Sequence, residues 1–148
     1  MSTTGLAITP IDPAADDLRA ALSTARLPVD DLAEPGRRFY RFDDDGRAIG
    51  FGGLELHGAI ALLRSVVVLP KSRGQGHGQA IVSALLAQAV HLGVAELFLL
   101  TEEAAPFFER LGFSHIDRTA APAAIRQSQQ AQHLCPASAS LLVHRIKV

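Results

Sequence analysis

The sequence predicts a mixed α/β domain built on one central, mostly antiparallel sheet. Three observations carry that reading. Short apolar runs bounded by turn residues alternate with stretches of helical spacing. The cluster Asp43-Asp44-Asp45-Gly46 between two strand-like runs is a strong hairpin signal, which makes those strands antiparallel neighbours. Finally, the apolar run Val66-Val67-Val68-Leu69 stops at Pro70 and passes through glycines 74, 76 and 78 into an Ala- and Leu-rich helical pattern. Strand, loop and crossover helix of this kind place the next strand parallel.

Taken in order, Leu6-Ala7-Ile8 is a short strand ending at Thr9-Pro10. Asp12-Pro13 reads as an N-cap with proline at the first helical position. Leu18, Ala21, Leu22 and Ala25 then continue a helix to about Arg26, and Pro28 stops it. Asp30 to Pro35 is a loop or a short helical turn. Arg38 to Phe42 and Ala48 to Leu56 form the hairpin. Gly50, Gly52 and Gly53 in its second strand indicate a bulge or a close approach of another chain segment. His57-Gly58 makes the next turn, and Ala59 to Leu69 forms a strand buried on both faces.

From Gly78 to Gly93 the spacing is helical, with Ile81, Leu85, Ala89 and Leu92 on one apolar stripe. Glu96 to Leu100 is the parallel strand. Thr101 caps a short helix with Glu102 and Glu103 in its first turn, running to Leu111-Gly112, and Phe113 to Arg118 is a further strand. A helix over Ala121 to Leu134 is broken by Cys135-Pro136, and Ser138 to Ile146 is the last strand. The expected order is β-α-β-β-β-α-β-α-β-α-β in a single domain spanning residues 1–148.

Composition narrows the partners. A net charge of −1 gives no basic face for nucleic acid. The lone Cys135 excludes an intrachain disulfide framework. No apolar run approaches the roughly 20 residues of a membrane helix, and the N-terminus lacks a signal-peptide pattern. A soluble, cytoplasmic protein is expected, with no membrane partner. The histidines do not pair with carboxylates at metal-ligand spacing, so no metal is expected.

The glycine loop is the most informative stretch. Glycines let the backbone take positive φ and approach a ligand closely, and a helix N-terminus offers unpartnered N–H groups to an anion. The spacing Gly74-x-Gly76-x-Gly78 is not the dinucleotide fingerprint, and no Gly-Lys-Ser/Thr follows as in a nucleoside-triphosphate loop. A phosphate cradle of another kind, or a tight structural turn, remains.

The strand order and Arg73-Gly74-Gln75-Gly76-His77-Gly78 together resemble the GNAT superfamily of N-acetyltransferases. Its Gln/Arg-x-x-Gly-x-Gly/Ala signature is matched by Arg73, Gly76 and Gly78, and Phe107-Phe108-Glu109-Arg110-Leu111-Gly112-Phe113 also fits the family's habit. The resemblance covers Leu6 to Phe113. Within the superfamily, Ala59 to Val68, Phe107 to Phe113, Ala124-Ile125-Arg126 and Leu134 to Ala139 are similar to N-acetyltransferases found with bacterial arsenic-resistance genes.

The resemblance implies a GNAT fold with helices on both sheet faces and acetyl-CoA as co-substrate. Backbone N–H groups of Gly74, Gln75, Gly76, His77, Gly78 and Gln79 would hold the pyrophosphate, with Arg73 in the signature. Val66, Val67 and Val68 would hydrogen-bond the pantetheine arm. The acceptor would be a small-molecule amine, by the closer likeness an amino-bearing arsenical or an antibiotic, and the family is often dimeric.

Acetyl transfer needs an amine stripped of its proton. Glu55 is the preferred base, because alternation puts it on one face with Gly53 and Phe51. It reads equally as an ordinary strand carboxylate, and His57 is the runner-up. The family's usual acid is a tyrosine where this chain has Phe108, and the chain's one tyrosine is Tyr40. Ser65 or water is then left to protonate the departing thiolate. The Asn that often opens the following helix is replaced by Thr101-Glu102. Arg64 inside an apolar run demands a counter-charge, substrate or solvent. Phe108 and, in the tail, Arg126, His133 and Cys135 are further acceptor-facing candidates, although a single thiol cannot chelate arsenic. A weakly catalytic acyl-CoA-binding regulatory domain and a protein acetyltransferase are the rival readings.

Overall fold

Turn chemistry assembles the sheet. A computed structural model of the chain describes residues 6–128 and 139–146. Strands β1 (Leu6–Ile11), β2 (Arg37–Asp44), β3 (Arg47–His57) and β4 (Ile60–Val68) run antiparallel in succession. Asp45 and Gly46, with φ of 51° and 80°, close the β2–β3 hairpin in the left-handed conformation that strand twist requires. Helix α2 (His77–His91) carries the chain over the sheet to β5 (Glu96–Thr101), which lies parallel to β4. Then follow α3 (Ala105–Arg110), β6 (Ser114–His115), α4 (Ala123–Arg126) and β7 (Ser140–Arg145). The strand order is β1-β2-β3-β4-β5-β7-β6. The expected class, hairpin and crossover are all present.

Both faces of the sheet are covered. On one face Ile81, Leu85 and Ala89 of α2 pack with Leu54, Ala61, Leu63, Leu97 and Phe113. On the other, Leu18 and Leu22 of α1 (Asp16–Thr24) pack on Phe39, Phe51 and Val67. Ile125 of α4 packs beside them on Leu62, Phe98 and Leu141. No helix among the described residues is long and apolar enough to cross a membrane.

The β3 glycines are close-approach sites, as expected. A Cβ on Gly52 would lie 2.5 Å from Leu85 of α2, and one on Gly53 would lie 2.6 Å from the Phe39 ring on the opposite face. The absent side chains let α2 settle on one side and Phe39 on the other.

Five boundaries differ from expectation. β1 continues through Pro10 to Ile11, which an edge strand tolerates. Asp12 does not cap α1: its carboxylate accepts the Ala14 N–H at 2.8 Å, closing a local turn, and α1 starts at Asp16. Thr101 accepts the Ala104 N–H at 3.0 Å, so Glu102 and Glu103 lie in a bend and α3 begins only at Ala105. The strand expected over Phe113 to Arg118 is two residues long, and the helix expected from Ala121 ends at Arg126. There the Ser128 hydroxyl donates to the Ile125 carbonyl at 2.7 Å, which competes with continuing the helix. Residues 129–134 of that expectation lie outside the described residues.

Candidate active site

The site begins where two strands stop pairing. β4 and β5 are paired at Ile60↔Glu96, Ala61↔Leu97 and Leu62↔Phe98, and no further. On its other edge β4 is bulged against β3. The register passes from Gly53↔Arg64 to Phe51↔Val67, so Ser65 and Val66 together oppose Gly52. Ser65 takes a φ of 59°, a conformation a non-glycine residue adopts only when its surroundings enforce it. A bulge bends its strand. Between β4 and β5 opens a cavity of about 550 Å³, walled by Leu63, Arg64, Ser65, Val66 and Val68 on one side and Leu99, Leu100 and Thr101 on the other. That volume lies in the range of small-molecule sites.

The glycine loop closes one end of this cleft. Gly74 (φ 79°) and Gly76 (φ 78°) are both left-handed, and nothing lies within 4 Å of where a Cβ would be. Backbone conformation, not packing, therefore requires glycine there. Gly76 is the N-cap of α2, and the Ala80 N–H returns to its carbonyl at 3.2 Å. Among the described residues the N–H groups of 74 to 79 have no backbone partner. They converge with the positive end of the helix dipole, an arrangement suited to a pyrophosphate. His77 fixes the loop: its Nδ1 donates to the Ser72 carbonyl at 3.0 Å, and its Nε2 lies 3.4 Å from Asp44. Arg73 Nε donates to the Val68 carbonyl at 3.1 Å, which ties the loop to β4.

Beside the cleft lies a buried charge network. Arg64 donates to both carboxylate oxygens of Asp31, at 2.5 and 2.6 Å, and its Nη1 also reaches Glu55 at 3.4 Å. Arg37 donates to Asp31 at 3.0 Å and lies 3.5 Å from Glu55. His57 Nε2 donates to the other Glu55 oxygen at 2.7 Å. Arg64, Asp31 and Glu55 side chains are at most 1% exposed. Burial pushes the Asp31 carboxyl up, but the hydrogen bonds and charge of Arg64, then of Arg37, outweigh it and hold the group below its usual range. The Arg64 guanidinium also lies over the Phe39 ring, 5.6 Å from its centroid. The absence of a Cβ on Gly53 thus seats the ring that floors this arginine.

Comparison with known proteins now adds to this geometry. The family profile described as an acetyltransferase (GNAT) domain matches residues 35–115. The chain belongs to the GNAT family. It is 32% identical over 91 residues to an uncharacterised N-acetyltransferase of Chlorobaculum tepidum, covering 61% of this chain and 58% of that protein. It is 40% identical over 75 residues to an amino-acid acetyltransferase of Mycobacterium tuberculosis, covering 50% of this chain and 42% of that one. The chain spans about half the length of these curated relatives. Among solved structures it resembles N-acetylglutamate synthase from Neisseria gonorrhoeae, complexed with coenzyme A and N-acetyl-glutamate. That likeness has a TM-score of 0.79 at 16% identity over 97% of this chain and 35% of that one, and it is a likeness of fold.

Within this GNAT domain the expected residues divide. Arg64, Ser65, Val66, Val68, Arg73, Gly74, Gly76, His77, Gly78, Gln79 and Phe108 all border the cleft. The Val67 side chain points to the α1 face, where it packs on Phe39 and Phe51. Gln75 turns into a separate polar cavity with Lys71 and Asp44. Glu55 does not border the cleft. It lines another cavity, of about 410 Å³, with Glu34, Arg37 and His57, and touches the cleft only through Arg64. Arg126 lines a third with Ile125 and Leu141, and His133 and Cys135 lie outside the described residues. Phe108 packs edge-on against Phe107 and Phe113 and brings no hydroxyl to the cleft. Tyr40 is buried under α2, where desolvation raises its pKa despite Arg38 and a hydrogen bond with Gln88.

Sequence reading missed Asp31 and Arg37. The buried Arg64 signalled a counter-charge, but its partner is 33 residues away on a loop, and no local pattern marks it. Leu27 and Ala104, which also border the cleft, carry no sequence signal of their own. No group of three or more metal-ligating side chains converges among the described residues.

Proposed function

We propose that this chain is an acetyl-CoA-dependent N-acetyltransferase acting on the amine of a small molecule. The observation that supports it most is one continuous cleft that joins the unpartnered N–H groups of residues 74 to 79 to the strand edge left open beyond Leu62↔Phe98. The loop takes the pyrophosphate. The open edge of β4, from Leu63 to Val68, takes the amide groups of the pantetheine arm as an added strand would. The β4 bulge then turns the backbone N–H of Val66 or Val67 toward the thioester oxygen, where negative charge develops as nitrogen attacks.

Proton traffic falls to the residues around Arg64. Glu55 is the base in this reading, and because it borders the neighbouring cavity, the amine proton reaches it through water beside Arg64. Once Glu55 is protonated, its hydroxyl donates to His57 Nε2 in the tautomer that carries its proton on Nδ1, and the proton passes to the half-buried imidazole and on to solvent. Ser65 borders the cleft and accepts from Arg64 Nε at 3.2 Å, which leaves its own hydroxyl proton to donate to the leaving thiolate. The likeness to the amino-acid acetyltransferase of Mycobacterium tuberculosis favours an amino acid as acceptor. An amino-bearing arsenical and an amine antibiotic are the other acceptors the sequence suggests.

A second reading is an acyl-CoA-binding regulatory domain, favoured by Phe108 where an acidic hydroxyl would help. Both are tested by incubating the protein with acetyl-CoA and a panel of amino acids, arsenicals and antibiotics while free thiol is followed. Thiol release with at least one amine is expected. Tight CoA binding with no release on any amine would establish the regulatory reading. In the same assay Glu55→Gln lowers turnover 10²-fold or more, by the usual worth of a general base of about 10²–10⁴. Full activity of that variant across the pH range removes Glu55 from the mechanism.

A further inference from the structure

Asp31 is fully buried close to the cleft without bordering it. It lies on the loop between α1 and β2, and two guanidiniums hold it. From β2, Arg37 Nη2 donates to Asp31 Oδ2 at 3.0 Å while its Nη1 donates to the Pro35 carbonyl at 2.9 Å. From β4, Arg64 gives Asp31 both outer nitrogens, Nη1 to Oδ2 at 2.5 Å and Nη2 to Oδ1 at 2.6 Å. A planar guanidinium gripped at both ends of its fork keeps little rotational freedom, so the direction of its remaining N–H is settled. That remaining donor, Nε, meets the Ser65 hydroxyl oxygen at 3.2 Å. Ser65 borders the cleft and stands in the β4 bulge at a φ of 59°. An oxygen that accepts from Nε must aim its own proton elsewhere. The other carboxylate within reach of Arg64 is Glu55, 3.4 Å from Nη1. Without Asp31 the guanidinium would turn to Glu55 and carry Nε away from Ser65.

We infer that Asp31 is a positioning residue for acetyl transfer, which acts through Arg64 to aim the Ser65 hydroxyl proton at the departing thiolate. This rests on the acetyltransferase reading above, with Ser65 as its acid. As the tetrahedral intermediate collapses, the C–S bond breaks and its electron pair stays on sulfur, which takes the Ser65 proton. The Ser65 oxygen then regains a proton from solvent, the equivalent of the one the amine gave up. Donation from a cationic Nε favours the transient serine oxyanion, so the same contact that orients the hydroxyl also makes it a better acid. Arg37 serves the arrangement from behind, because it holds Asp31 in place when Arg64 is displaced.

A kinetic double-mutant cycle on the full chain tests this, with an amine that releases thiol. Asp31→Asn should lower kcat about tenfold, less than the roughly 10²–10⁴ of losing a general acid outright, with the acetyl-CoA KM unchanged. In a Ser65→Ala background the same change should alter kcat by less than about twofold, because the group it positions is gone. Arg64→Lys keeps a cation for Asp31 but has one nitrogen in place of three, so it should repeat both results. A general folding defect would lower kcat in both backgrounds, and additive losses would therefore make Asp31 merely structural and overturn the inference. Parent-like kcat in Arg64→Lys would also overturn it. Full kcat in Ser65→Ala would remove Ser65 as the acid, and the inference would fall with that assignment while the acetyltransferase reading stands. If no amine releases thiol, the acetyltransferase reading fails separately, and crystal structures of the parent and Asp31→Asn replace turnover. Loss of the Arg64–Ser65 contact in the variant is then expected, and its persistence would overturn the positioning role on its own.

Discussion

At the scale of single residues, Arg64 and Asp31 form a buried two-point ion pair. A buried arginine is tolerated because both its outer nitrogens meet one carboxylate and its face meets Phe39. Arg64→Leu leaves Asp31 and Glu55 buried without their main cation, and chemical denaturation should show a loss of about 3–5 kcal/mol. The double variant Asp31→Asn/Arg64→Met should lose less than the sum of its single variants, since each single change strands a charge. The pH dependence follows from the direction of the Asp31 shift. Its folded pKa is depressed, so its stabilisation is fully present above the unfolded value of about 3.9 and is lost as pH falls through the lower folded value. Acid unfolding of Asp31→Asn should therefore show a shallower slope below about pH 4 than the parent.

At the scale of elements, the pairing of β3 with the bulged β4 is what shapes the cleft. Gly50, paired with Val68, would bring a Cβ into the Val67 carbonyl oxygen and within 2.8 Å of Ile81. A side chain can rotate aside; a strand carbonyl next to the bulge cannot without moving β4. Gly50→Ala should cost about 1–3 kcal/mol, the usual range for overpacking, and should also weaken CoA binding because the strand edge shifts. Unchanged CoA affinity with lowered stability would separate the two roles and detach the bulge from the donor site. By comparison Gly74 meets no neighbour, so a substitution there strains φ alone.

For the molecule as a whole, the proposed donor cleft exists only when β4, α2 and β5 are assembled, because its walls come from all three together with residues 104–108. A ligand that binds such a cleft binds the native state alone. Coenzyme A at 100 times its dissociation constant should then stabilise the protein by about 2.7 kcal/mol. For a chain of this size that is roughly 5–11 °C in Tm, read by calorimetry. No shift with CoA, or the same shift in a variant with Gly76 replaced by Val, would remove the loop from donor binding.

Much of this was legible in the sequence because it is local. The Asp45-Gly46 turn, the Ile81, Leu85 and Ala89 stripe of α2 and the left-handed glycines before it are each decided by neighbours a few residues away. The GNAT signature lies within that local unit, so the donor loop could be read residue by residue. The charge network beside the cleft could not. Arg64 meets Asp31 across 33 residues, and Arg118 meets Ala139 across 21, pairings that depend on how loops fold back over the sheet rather than on periodicity. Glu55 shows the difference most plainly. Alternation placed it on the right face of β3, but only tertiary packing decided that Arg64 stands between it and the cleft. Nearby residues dictate the strand, the left-handed glycines and the helix start that leave the N–H groups of residues 74 to 79 without backbone partners, because backbone conformation is set locally. That Asp31 neutralises Arg64, and that Arg64 stands between Glu55 and the cleft, follows only from how the loops fold back over the sheet, because charge compensation is set by distance in space.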